Sequence, residues 1–187
     1  MRLTFDDGPD PVWTPRLLDV LAAGDARATF FPIAPRAAAH PNLIARMRAE
    51  GHGIGLHCDE HVRHSAQTEA WVTRDTERAL ERLTVLGIAP NRWRTPWGDT
   101  APFTRDVADA HGLTLTGWTL DTHDWRGDSA ATMFDATRGG LTGDAIILAH
   151  DGIGPGARRG DARETIAYTA RVIEFARGTG LELEALA

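Results

Sequence analysis

Short apolar runs alternate along this chain with longer segments whose apolar residues recur at intervals of three and four. Strands show a period of two or an unbroken apolar run, and helices a period near 3.6. The alternation is therefore that of repeated strand–helix units rather than a sandwich or a bundle. Seven runs read as strands, at residues 3–6, 28–33, 53–57, 92–95, 113–120, 145–150 and 181–185. Between them 15–23, 42–49, 69–86, 104–110, 130–138 and 162–177 read as helices, several closed by a glycine at Gly24, Gly51, Gly87, Gly112, Gly139 or Gly178. In 69–86, Trp71, Ala79, Leu80, Leu83 and Leu86 oppose Arg74, Glu77, Arg78 and Glu81. The predicted fold class is α/β: a parallel barrel or one lacking a unit, with an open doubly wound sheet as the competing arrangement. A chain of 187 residues suits a single domain over 1–187.

Both arrangements place active sites at the carboxyl ends of strands. Chemically loaded residues stand there: Asp6 and Asp7 after the first run, His57 after the third, Arg94 after Trp93, Asp121 to Trp125 after the fifth, and His150 with Asp151 after the sixth. Five strand ends thus converge on one predicted rim. The 152–160 stretch reads as a long polar loop.

Charge and composition remove several partner classes. With 20 Lys+Arg against 26 Asp+Glu the formal charge is −6, which gives no basic surface for a phosphate backbone, so nucleic acid and anionic membrane are not expected partners. No apolar run reaches the length of a membrane span. A single cysteine, Cys58, excludes an internal disulfide framework. No export signal precedes the first run, so the expected location is cytoplasmic for the chain as given, or secreted if a leader was omitted.

Among the loaded residues, His57 and His61 stand four apart, a spacing that on a helical turn sets two imidazoles side by side for one divalent ion. A carboxylate would complete a two-histidine, one-carboxylate set with open positions, and Asp6 or Asp7 can supply it. Neighbours on an extended chain point to opposite sides, so one aspartate can bind the ion while the other serves as a base; an Asx-turn closing the strand is the plainer reading of the pair. Arg94 against a buried carboxylate would orient it. Asp121 and Asp124 both offer partners that would fix the tautomer of His150 and raise its pKa. Trp97 and Trp125 either pack or stack on a sugar face.

The ordered segments Thr4 to Pro9, His57-Cys58-Asp59-Glu60-His61, Arg94 to Gly98, Asp121 to Trp125 and Leu148-Ala149-His150 resemble the polysaccharide deacetylases, the NodB-like fourth carbohydrate-esterase family. The likeness runs from Thr4 to His150. It implies a distorted (β/α)7 barrel and metal-dependent removal of N- or O-acetyl groups from an acetylated carbohydrate. By this resemblance Asp7, His57 and His61 bind a divalent metal, zinc first, with cobalt or manganese also compatible. Asp6 is the base, oriented by Arg94, and His150 is the acid, tuned by Asp124 in preference to Asp121. Trp125 and Leu148 line the acetyl slot, and Trp97 joins the substrate-binding residues. The family's usual hydroxyl residue at position 58 is replaced here by Cys58, which leaves the order of the metal loop without its usual hydrogen bond.

Three competing readings follow. On the same fold, the chain would be an O-acetyl xylan esterase or a small-molecule amide hydrolase of a metal-independent branch, against which the retention of both His57 and His61 counts. From another class comes a catalytically silent carbohydrate-binding barrel using Trp13, Trp97, Trp118 and Trp125. No Gly-x-Ser-x-Gly elbow supports a serine esterase.

Overall fold

A computed structural model describes residues 1–186. Its strands are β1 (Arg2–Asp6), β2 (Ala28–Phe31), β3 (Gly53–Ile54), β4 (Arg92–Trp93), β5 (Thr114–Leu115), β6 (Leu120–Asp121) and β7 (Ile146–His150). All pairings are parallel. Five strands form one ladder in the order β3-β2-β1-β7-β6, and β4 pairs with β5. A bridge between Leu56 and Trp93 joins the two groups. Strand order around the structure therefore follows chain order, with its only unpaired seam between β5 and β6 among the described residues. This is a distorted (β/α)7 barrel, and the open doubly wound sheet is set aside.

Burial explains the centre. Strands β1 and β2 are covered on both faces, and Phe5 and Phe30 stack at 5.4 Å between ring centroids. Parallel barrel strands are enclosed in this way because each crossover lays a helix on the outer surface. The helices are α1 (Trp13–Ala23), α2 (Ala34–Ala39), α3 (Pro41–Ala49), α4 (Glu69–Val85), α5 (Thr104–Ala110), α6 (Ala130–Thr137) and α7 (Arg163–Thr179). Val72, Ala79 and Leu83 of α4 are fully buried, as the spacing predicts. Tyr168 and Val172 of α7 close the core beside Leu17, Leu18 and Leu21 of α1.

Four sequence expectations need correction. The expected strand 113–120 is two short strands on opposite sides of the seam, because the chain crosses there without an intervening helix. Residues 181–185 form no ladder: single bonds from Arg27 N to Leu183 O and from Glu184 N to Met1 O tie the segment to the entrances of β2 and β1. Helix α2 was not anticipated; its Pro35 and the Pro41 of α3 lie in first turns, where a missing N–H is harmless. Helix α7 runs through Gly178 and ends at Gly180, whose φ of 71° supplies the left-handed stop.

Candidate active site

The carboxyl ends of the strands surround a cavity of about 540 Å³, a volume suited to a small ligand or a few sugar atoms. Asp6 ends β1 directly opposite His150 at the end of β7 in the parallel register. The candidate base and candidate acid are therefore adjacent through the sheet, although 144 positions separate them in the chain.

Asp7 does not continue the extended strand. Its φ is +71°, a left-handed conformation that aspartate tolerates better than most residues. The sequence expectation that the two carboxylates diverge by strand alternation is replaced by this turn, which aims Asp7 toward the loop after β3. There the carboxylate Oδ1 lies 3.3 Å from His57 Nε2 and 3.2 Å from His61 Nε2. His57 and His61 are not on a helical turn, as the four-residue spacing suggested; residues 57–63 are irregular and bring the rings to 5.1 Å by loop geometry.

The donor set fits a cation. His57 Nδ1 is 2.7 Å from the Arg94 carbonyl, which only accepts, so Nδ1 carries the proton and a neutral ring presents the Nε2 lone pair to Asp7. Asp7 Oδ1 is buried without a hydrogen-bond donor. Ligands about 2.0–2.1 Å from a tetrahedral ion stand about 3.3 Å from one another, the spacing found here. In the chain alone, burial would raise the Asp7 carboxyl, but the two imidazoles outweigh it and hold the group well below the carboxylate range. Burial would lower His57, but Asp7 and then Asp6 outweigh it and raise it. In the chain alone, imidazole protons thus meet the Asp7 charge, and a bound cation would take their place.

Arg94 is 1% exposed and fully committed. Nη1 donates to Asp6 Oδ1 at 3.0 Å and Thr4 Oγ1 at 2.7 Å, while Nε and Nη2 donate to the carbonyls of Thr116 and Gly117. Asp6 is thereby fixed by a guanidinium that is itself immobile. On the neighbouring strand β7, His150 Nδ1 meets Asp124 Oδ1 at 2.7 Å, so Asp124 and not Asp121 is its partner; Asp121 accepts from the His123 backbone instead. Burial would lower His150, but the Asp124 charge and hydrogen bond overcome it and lift the imidazole to about 9. Burial likewise opposes ionisation of Asp124, and His150 reverses that, leaving it below its ordinary value.

Two residues that the sequence did not single out complete this arm. Thr165 donates to Asp124 Oδ2 at 2.7 Å, and Arg159 Nη1 lies 3.1 Å from the same oxygen and also reaches the Thr165 hydroxyl. Arg159 Nη2 holds the His150 carbonyl at 2.8 Å. Asp151 turns away from the cavity and accepts from Thr14 at 2.5 Å. Burial, reinforced by the neighbouring Asp7 and Asp6 charges, lifts its carboxyl to about 7 against the pull of that hydrogen bond. Only the Arg159 contact had a readable sign, a cation inside a polar loop that follows the histidine.

Trp97, Trp118, Trp125 and Leu148 line the cavity. Trp97 is 41% exposed at a φ of +55°, with its ring edge-on to His61 at 4.2 Å and the Arg63 guanidinium 4.6 Å from its centroid. An aromatic residue held in that backbone region is strained, and such strain persists where the surrounding structure fixes it. Trp13 lies elsewhere, at the start of α1 under Arg16. Cys58 is buried; burial, with nearby Asp75, raises its thiol well above the ordinary range, so it packs as a neutral side chain outside the ligand set.

Relatives share this architecture. The chain is 36% identical over 153 residues to a peptidoglycan-N-acetylglucosamine deacetylase of Bacillus cereus, a match covering 80% of this chain and 55% of that protein. It therefore spans about half the length of that relative. It is 34% identical over 191 residues to a chitooligosaccharide deacetylase of Sinorhizobium fredii, covering 98% of this chain and 88% of the relative. A solved family 4 carbohydrate esterase from Streptomyces lividans, in complex with acetate, aligns with a TM-score of 0.88 at 28% identity, covering 100% of this chain and 92% of that one. The family profile described as polysaccharide deacetylase matches residues 1–116, more than half of the chain. On that match and these identities, the chain belongs to the polysaccharide deacetylase family.

Proposed function

We propose that this chain is a metal-dependent hydrolase that removes N-acetyl groups from an acetylated amino sugar, presented as a chitooligosaccharide, a peptidoglycan-type chain or a small glycoside. One observation carries the reading: a three-ligand cage stands beside a carboxylate and an imidazole that are side by side in the strand register, each with its own buried orienting partner. The names of the two relatives supply the acetylated sugar class.

Asp7, His57 and His61 would hold the ion, and zinc suits two imidazoles and one carboxylate at this spacing best, with cobalt or manganese as substitutes. A divalent cation there supplies Lewis acidity that polarises an acetyl carbonyl and acidifies water. Asp6, immobilised by Arg94, accepts the proton of the attacking water as its oxygen bonds to the acetyl carbon. His150, with Nδ1–H bound to Asp124, presents its other nitrogen and delivers a proton to the departing amine as the carbon–nitrogen bond breaks. The products are acetate and a free amino sugar. Trp125 and Leu148 wall the space for the methyl group, and Trp97 offers an exposed ring for a sugar face. No side chain forms a covalent bond in this scheme.

Acetate release from N-acetylated and O-acetylated oligosaccharides, with zinc, cobalt, manganese or chelator compared in parallel, tests the reading. Expected are release from the N-acetylated substrates, loss with chelator, and a fall of about 10²–10⁴ in kcat for Asp6→Asn. No release from any acetylated sugar by metal-loaded protein overturns it, and release from O-acetyl xylan alone replaces amide by ester chemistry.

A further inference from the structure

The two histidine ligands are held very unequally. His57 is anchored by the barrel: its Nδ1 binds the Arg94 carbonyl, and its own carbonyl accepts from Trp93 Nε1 at 2.9 Å. His61 has no such anchor. Its Nδ1 is buried without a partner, and its ring meets Trp97 only edge-on. The backbone between the two histidines must therefore set where His61 stands.

That backbone is gripped from α4. Asp75 is 3% exposed and commits both carboxylate oxygens to consecutive loop amides: Oδ2 accepts from Asp59 N at 3.1 Å and Oδ1 from Glu60 N at 2.9 Å. Arg78, one turn further along the helix, joins Asp75 Oδ1, Asp59 Oδ2 and Glu60 Oε1, and Arg82 holds Asp59 Oδ1 at 2.7 Å. Asp59, Glu60 and Asp75 are close enough together to suggest a second cation site, but the two guanidinium groups already supply the positive charge. The buried, neutral Cys58 thiol is too weak a hydrogen-bond partner to order this loop.

We propose that Asp75 is a positioning residue that places His61 against Asp7 and His57, so that helix α4 helps set the affinity of the ion site. The proposal rests on the metal-dependent reading above. Asp75 touches neither ion nor substrate. It acts through two peptide N–H groups, of which that of buried Asp59 would otherwise go unpaired. Outer partners that orient ligands in this way commonly change metal affinity by about 10–100-fold when removed.

Zinc affinity, measured by competition with a chromophoric chelator, tests this in the full chain. Asp75→Asn should weaken zinc binding by about 10–100-fold, with the far-UV circular dichroism of the metal-free protein unchanged and kcat at saturating zinc near wild type. Thr68→Ala removes the α4 cap, whose hydroxyl accepts from Trp71 N at 3.3 Å, and loosens the helix without touching the loop; it should leave zinc affinity unchanged. Equal zinc affinity for Asp75→Asn and wild type overturns the proposal, as does an equal loss in Thr68→Ala. If Asp75→Asn does not fold, hydrogen exchange of the wild-type Asp59 and Glu60 amides decides: protection comparable to α4 supports the grip, and free exchange refutes it. Wild-type protein that binds no zinc overturns the metal reading itself and the Asp75 role with it.

Discussion

Asp6 and Arg94 are both nearly inaccessible, and the guanidinium has four acceptors around it, so neither member has a solvent alternative. Arg94→Met leaves Asp6 as a buried carboxylate without a counter-charge, and such truncations cost about 3–5 kcal/mol. Urea unfolding should register that loss together with a collapse of acetate release. His150 provides a second test. Its folded value of about 9 lies above the unfolded value near 6.5, so its pairing with Asp124 stabilises the metal-free protein fully below about pH 6.5. That contribution disappears as pH rises through about 9. An NMR titration of the imidazole should give the high value in wild type and a clearly lower one in Asp124→Asn.

Between residues and fold lie the elements that deliver them, above all the loop after β7. Gly154 passes so close to the Asp7 carboxylate that an added Cβ would collide with it, and Gly152 crowds the Asp7 carbonyl in the same way. Arg36 of α2 ties these parts together, donating to the carbonyls of Asp7 at 2.8 Å and Ile153 at 3.0 Å. Gly154→Ala should therefore displace Asp7 and lower zinc affinity by at least tenfold, an effect comparable to loss of an outer-shell partner, while the far-UV spectrum is unchanged. Isothermal titration with zinc measures it. The sequence marked 152–160 only as a polar loop, because the need for glycine there comes from a carboxylate nearly 150 positions away.

At the scale of the molecule, the site is assembled from several parts of the barrel: the β1 and β7 ends, the loop after β3, the segment after β4 that carries Arg94 and Trp97, and the loop that leads to α6. A ligand that binds only this assembled arrangement stabilises the whole fold, by about 2.7 kcal/mol at a hundredfold excess over its dissociation constant. For a chain of this size that corresponds to a rise in Tm of about 5–10 °C. Thermal melts with zinc and with chelator should show the rise in wild type and its absence in His57→Ala.

The grouping of chemical residues at strand ends was legible in the chain itself, since apolar periodicity marks where strands stop and chemical residues begin, whereas the division of those residues into ligands, base and acid came from the resemblance to the polysaccharide deacetylases. Helices α4 and α5 were equally plain, because a buried face leaves a repeating trace. Other features had no local sign. The left-handed turn at Asp7, the grip of Asp75 on the His61 loop and the break between β5 and β6 are each decided by groups distant in sequence. A hydrogen bond or an ion pair selects its partner by distance and direction in space, and only the closed barrel supplies those.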